Sequence, residues 1–182
     1  MANRFITELC HAYKLDFDKN YKIAHLGNIY GQHDRFSDYV NVVSAIAWKM
    51  RSAKLQNNDL YLYGDGSDVR SLTYLKDLAR LLPKYLEQVH LRNTIISTNE
   101  RQLSIMEISK LIADGMGFTK RIVFTGENAK KLREVAKSVR INSELGDPKY
   151  TDFEVGCKET ISWFLSKEDT ELKTQTSGPQ VN

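Results

Sequence analysis

The residues of this chain best placed to do chemistry are cations, amides and glycines, and their spacing excludes as much as it offers. None of the ten glycines falls in a G-x-x-G-x-x-G or G-x-G-x-x-G run. A dinucleotide needs such a run between a strand and a helix, so that backbone N–H groups face the pyrophosphate. Gly64-Asp65-Gly66 and Gly115-Met116-Gly117 are isolated pairs. The first precedes no helix directly and the second ends one, so neither reads as a cofactor loop. Cys10 and Cys157 lie far apart and outside any Cys-x-x-Cys pair. They predict two reduced, partly buried thiols, with no disulfide framework and no metal site. Two polar segments remain. Asn28-Ile29-Tyr30-Gly31 is followed closely by His33-Asp34-Arg35-Phe36, and Tyr63-Gly64-Asp65-Gly66-Ser67-Asp68-Val69 leads to Arg70. Taken alone, the first is a strand-to-loop turn using Asn and Gly, and the second a hairpin-like turn with a surface arginine. Taken alone, Lys49 is a solvated lysine on a helix face and His33 a structural or exposed loop histidine.

These segments need elements to position them. Apolar residues at helical spacing predict a surface helix over 4–17, with one face packed through Ile6, Leu9 and Tyr13. The same period predicts a helix over 39–53 through Val42, Val43, Ile46 and Met50. Another follows Lys76-Asp77-Leu78-Ala79 through Leu82 and Leu86, which Pro83 should kink or end. Short strands are predicted at 22–26, 60–63, 94–98 and 121–125, and a polar loop over 27–37. Ser104-Ile105-Met106-Glu107 and Thr151-Asp152-Phe153-Glu154 are capping-box patterns that open two more helices. Gly117 is the expected stop of the first. The second carries Cys157, Ile161, Phe164 and Leu165 on one face. A further helix is expected over 130–139. Alternating strands and helices give an α/β chain.

Composition narrows the class. A chain of 182 residues with 41% hydrophobic and 27% charged residues fits one globular domain, or one domain plus an incomplete piece. The net charge of +3 is the small difference between 26 basic and 23 acidic residues. The basic residues are spread along the chain, which argues against nucleic acid or an anionic membrane as partner. No signal peptide and no membrane span are read, so the expected location is cytoplasmic. Residues 1–165 form the expected domain, and 166–182, with almost nothing to bury, a disordered tail.

In order and spacing, the Asn28–Asp34 and Tyr63–Arg70 segments, Lys76-Asp77-Leu78-Ala79 and the closing Thr160-Ile161-Ser162-Trp163-Phe164 resemble the C-terminal half of an enzyme family. It is the extended short-chain dehydrogenase/reductase, or NAD-dependent epimerase/dehydratase, family, and within it the fucose synthase-like, nucleotide-sugar branch. The resemblance covers Asn3 to Leu165. It implies the last strands and helices of a Rossmann-type sheet plus a small substrate-binding lobe, with the N-terminal NAD(P)-binding part absent. It implies a diphosphate contact from Arg70 and an aromatic border to the base pocket from Tyr63. Asn28 would line the sugar and diphosphate pocket, and Lys49 and Lys131 would supply substrate-facing charge. Asp77 matches a family aspartate that caps and positions a helix start.

The same resemblance places Asn3 where the family has its catalytic lysine, with the catalytic tyrosine before Met1. Asn41 stands where the fucose synthase pattern has a proton-donating histidine. A neutral amide serves neither role. No cofactor is therefore expected on this chain alone, although the family uses NADP(H). Three readings follow. The chain is a nucleotide-sugar-binding portion that is inactive alone, a subunit of a split epimerase completed by a partner chain, or a non-enzymatic dimerising or scaffolding protein. A homo-oligomer or partner chain is expected in each.

Overall fold

The structure is a computed structural model, and it describes residues 2–17, 21–38, 40–87, 94–96, 102–126, 145–146 and 148–167. The order of elements is α1 (Ala2–Phe17), β1 (Ala24–Leu26), β2 (Asn28–Tyr30), α2 (Val42–Leu55), β3 (Leu60–Leu62), β4 (Val69–Tyr74), α3 (Leu75–Glu87), β5 (Thr94–Ile96), β6 (Gln102–Ser104), α4 (Ile105–Met116), β7 (Ile122–Phe124) and α5 (Phe153–Leu165). This is the expected α/β chain. The predicted helix over 130–139, Lys131 within it, and residues 168–182 of the predicted tail lie outside the described residues.

Three sets of strands pair. β1 and β5 are parallel, β3 and β7 are parallel, and β4 sits between parallel β2 and antiparallel β6. Parallel strands require crossovers, and helices supply them. The main core lies where α2, α4 and α5 meet the strands. Val43, Ala47 and Met50 recur every three to four residues on α2 and are wholly buried. They share one cluster with Ile108 and Ile112 of α4, Ile161 and Phe164 of α5, and Tyr30, Phe36 and Leu103. Phe36 stacks on Phe164 with ring centroids 4.2 Å apart, which seats the loop after β2 on α5. Gly156 of α5 faces the hydroxyl of Tyr30 and the ring of Tyr74, so any side chain there would collide with both.

The caps hold the helices in place. Asn41 caps α2 by accepting from Ser44 N at 3.2 Å. Ser104 and Glu107 form the predicted capping box of α4, and Gly117 ends that helix in the left-handed region at φ 58°. The predicted box at Thr151 does not form, and the cap lies one residue on. Asp152 is the cap of α5, accepting from Glu154 N at 2.9 Å, because Thr151 is committed elsewhere. Its N–H and its hydroxyl donate to Asp77 at 2.7 and 3.0 Å. Asp77 thus positions the entry to α5, a wider role than capping the start of its own helix.

Four expectations are corrected. Pro83 does not end helix α3, which runs on to Glu87. Pro83 cannot donate to the carbonyl of Ala79, but both residues are exposed, so that carbonyl faces solvent and is not left buried without a donor. The loop predicted over 27–37 contains strand β2, which runs parallel to β4 in the register Asn28 to Leu72. On α5, Leu165 is exposed, while Thr160 shares the buried face with Ile161 and Phe164. The fourth correction concerns α1. Phe5, Ile6, Leu9, Tyr13 and Phe17 are all exposed, so the face expected to be packed is open among the described residues. No described helix is long and apolar enough to cross a membrane.

Candidate functional site

The site is built where α2 passes the C-terminal end of β3. Strand β3 alternates, with Leu60 and Leu62 buried and Tyr61 exposed. The chain then leaves the sheet at Tyr63 and turns back into β4 through Gly64-Asp65-Gly66. Gly66 has φ 81°, and a Cβ there would stand 2.9 Å from the ring of Phe124. Only glycine fits both the backbone and the space. The turn is fixed on its other side by α4, whose first two N–H groups donate to it. Ile105 N donates to Asp68 O at 2.9 Å and Met106 N to Gly66 O at 3.0 Å. The start of helix α4 therefore dictates where the turn places Arg70.

Two neighbouring cavities open along this turn and share Leu62 and Tyr63. The larger, about 770 Å³, is lined by Trp48, Lys49, Asp59, Tyr61, Tyr63 and Lys120, among others. The smaller, about 240 Å³, is lined by Val42, Ile46, Tyr63, Asp65, Asp68 and Arg70, among others. The Lys49 ammonium lies 5.5 Å from the centre of the Tyr63 ring, a cation–π distance. Tyr63, exposed over 72% of its surface, therefore stands between the Lys49 side and the Arg70 side. Arg70 donates to the Asp68 carboxylate at 3.1 Å and to the Val69 carbonyl at 2.8 Å. Flat aromatic surface, two lysines and a guanidinium suit a planar base joined to phosphate.

A hydrogen bond from the Arg121 guanidinium holds Asp59 below the usual carboxylate range. That pair ties the start of β3 to β7. The Ser67 hydroxyl and N–H, donating at 2.6 and 2.9 Å, do the same for Asp65.

The other sequence candidates distribute as follows. Asn28 begins β2, outside both cavities, and its amide donates to Ser71 O at 3.4 Å, one residue beyond Arg70. Asn41 serves as the α2 cap, and its amide also donates to Asp34, as does the Ser44 hydroxyl. Asp34 thereby ties the loop after β2 to the start of α2. His33 takes a left-handed backbone at φ 63°, with its ring 4.8 Å from Trp163, in a packing role. Asn3 lies in α1. Tyr61, Trp48, Asp59 and Lys120 line the larger cavity and were not singled out from sequence. The alternation Leu60-Tyr61-Leu62-Tyr63 marks Tyr61 as outward-facing, which is a readable signal. Lys120 carries no signal, because only the pairing of β3 with β7 brings it there.

The described helix starts do not fit a dinucleotide pyrophosphate. Those of α2, α4 and α5 are closed by their own caps, Asn41, Ser104 and Asp152. Helix α3 follows β4 without an intervening turn and carries Asp77 in its first turn. A pyrophosphate needs open N–H groups after a glycine turn, and these positions offer none.

The alternating helices and parallel strand pairs define a chain of the Rossmann-type α/β class. Residues 1–96 match the NAD dependent epimerase/dehydratase family, and the chain belongs to that family. Among curated proteins it is 26% identical over 176 residues to "GDP-L-fucose synthase" of Dictyostelium discoideum, covering 94% of this chain and 55% of that protein. It is 31% identical over 166 residues to "GDP-L-fucose synthase" of Sinorhizobium fredii, covering 87% and 51%. Among solved structures, a GDP-L-fucose synthetase from Naegleria fowleri superposes with a TM-score of 0.82 at 23% identity, over 92% of this chain and 54% of that one. The same enzyme bound to NADP gives a TM-score of 0.80 at 24% identity, over 90% and 52%. The chain thus spans about half the length of the relatives it matches.

Proposed function

We propose that this chain is the nucleotide-sugar-binding portion of a GDP-L-fucose synthase-like, NAD(P)-dependent epimerase/reductase. We further propose that the 182-residue polypeptide is without oxidoreductase turnover by itself. The observation that carries the binding part is the Tyr63–Arg70 turn. It sets Lys49, Tyr63 and Arg70 along two adjoining cavities. In this reading Arg70 holds the diphosphate, Tyr63 borders the base and Lys49 completes the pocket, with Lys131 adding charge, while Asn28 acts from outside the cavities by holding Ser71 beside Arg70. The inactive part rests on the neutral amides Asn3 and Asn41 and on the lack of a glycine-rich loop. Each acid or base group is worth about 100-fold or more in rate. Two free thiols suit a reducing compartment, and the cytoplasm is the proposed location.

The test is calorimetric titration of GDP and UDP into wild type and Arg70→Ala. Loss of a charge-assisted bidentate pair weakens binding by about ten- to a hundredfold. If wild type binds neither nucleotide at millimolar concentration, the reading fails. NADPH with a 4-keto-6-deoxy nucleotide sugar should show no cofactor oxidation above blank, and clear turnover overturns the inactive part.

A second reading is favoured by one observation, the open stripe Phe5, Leu9, Tyr13 and Phe17 on α1. Exposed apolar faces of this kind mark contact surfaces. In this reading the chain is a dimerising or scaffolding protein, or a subunit completed by a partner chain in a split enzyme. Light scattering distinguishes these. A stable dimer without nucleotide binding supports scaffolding, and a monomer at high concentration removes the self-association reading.

A further inference from the structure

Resting on the nucleotide-site reading above, we propose that Asp68 is a built-in counter-ion of Arg70 that limits phosphate affinity and so sets the charge of the ligand the site accepts. The guanidinium and the carboxylate are in contact at 3.1 Å, with side chains only 24% and 26% exposed. The carboxylate is not free to swing away with its backbone. Ile105 N at the start of α4 holds the Asp68 carbonyl, and Met106 N holds Gly66 O two residues earlier. The small cavity therefore presents one guanidinium against two carboxylates, Asp65 and Asp68. Asp65 is itself fixed by Ser67. A phosphate that approaches Arg70 meets a fork already engaged by Asp68 and Val69 O, and a cavity without net positive charge. It must displace one of those partners or share the guanidinium with it. The Lys49 ammonium stands across the Tyr63 ring and does not cancel the two carboxylates on the Arg70 side. Relieving the counter-ion should therefore help an anion in proportion to its charge, and leave an uncharged nucleoside unaffected.

The experiment is a calorimetric series with guanosine, GMP, GDP and UDP against wild type, Asp68→Asn, Arg70→Ala and the double variant. Asn keeps the shape and one acceptor for Arg70. Asp68→Ser stands in if Asp68→Asn melts early, and circular dichroism melting checks that every variant is folded. The expected result is GDP and UDP bound about tenfold tighter by Asp68→Asn, from removal of one nearby negative charge. The gain shrinks for GMP, vanishes for guanosine, and is smaller in the double variant, where no guanidinium is left to release. A merely structural role would shift all four ligands alike, and that outcome overturns the proposal. If Arg70→Ala weakens GDP while Asp68→Asn fails to tighten it, the counter-ion role is overturned and the nucleotide site stands. If no protein in the series binds GDP or UDP at millimolar concentration, or all bind them equally, both readings are overturned.

Discussion

Asp77→Ala tests how the fold seats α5, and hence the core that supports the site. Asp77 is 4% exposed and accepts from Thr151 N at 2.7 Å, Thr151 Oγ1 at 3.0 Å and Arg80 at 3.1 Å. The Arg80 side chain is 48% exposed, so its ion pair is screened and contributes about 0–1 kcal/mol. The two bonds from Thr151 end on a charged, buried acceptor, where each is worth about 1.5–3 kcal/mol. They are made by one residue and are not independent. Truncation to Ala also leaves the Thr151 N–H without its acceptor. A loss of about 3 kcal/mol is therefore expected, or about 6–12 °C in Tm for a domain of this size. Thr151→Val removes only the hydroxyl bond. In a double-mutant cycle by urea unfolding it should couple to Asp77→Ala by about 1 kcal/mol. An Asp77→Ala protein that melts within about 2 °C of wild type, or a cycle with no coupling, would refute the reasoning.

Further outcomes are expected. Gly66→Ala should destabilise the chain by about 1–3 kcal/mol and weaken GDP binding with it, because φ 81° is strained for Ala and Phe124 fills the space; unchanged melting and affinity would contradict this. Burial pushes the Cys157 thiol up to about 12, so it should resist an aromatic disulfide reagent at pH 8 in the native state while half-buried Cys10 reacts. The same shift has a stability consequence. The unfolded thiol releases its proton near about pH 8.5 and the folded one does not, so the stability from Cys157 is full below that pH. It should fall as pH rises toward 12, with Cys157→Ala removing that share of the slope in urea unfolding between pH 8 and 10. Phe5→Glu with Tyr13→Glu on α1 should shift any self-associated species toward monomer in light scattering, since both side chains are exposed.

The sequence by itself determined what is written in local spacing. The helical period of Val43, Ile46 and Met50 marked α2 and its buried face. The Ser104–Glu107 pair and Gly117 fixed both ends of α4. The Tyr63–Arg70 run located the turn of the candidate site, because two glycines two residues apart mark a turn by residue type alone. What it did not determine depends on partners far along the chain. Strands β2 and β6 have three residues each, and with β4 they are defined by pairing with one another, which local spacing does not report. Thr151 looked like a cap, but the tertiary fold brought Asp77 to it and moved the cap to Asp152. The α1 stripe looked like a packed face, since periodicity reports an apolar side and not what covers it. Only the meeting of α2, β3 and the start of α4 joined Lys49, Tyr63 and Arg70 along one surface and set Asp68 against the guanidinium. Distances between groups so far apart in sequence are decided by packing.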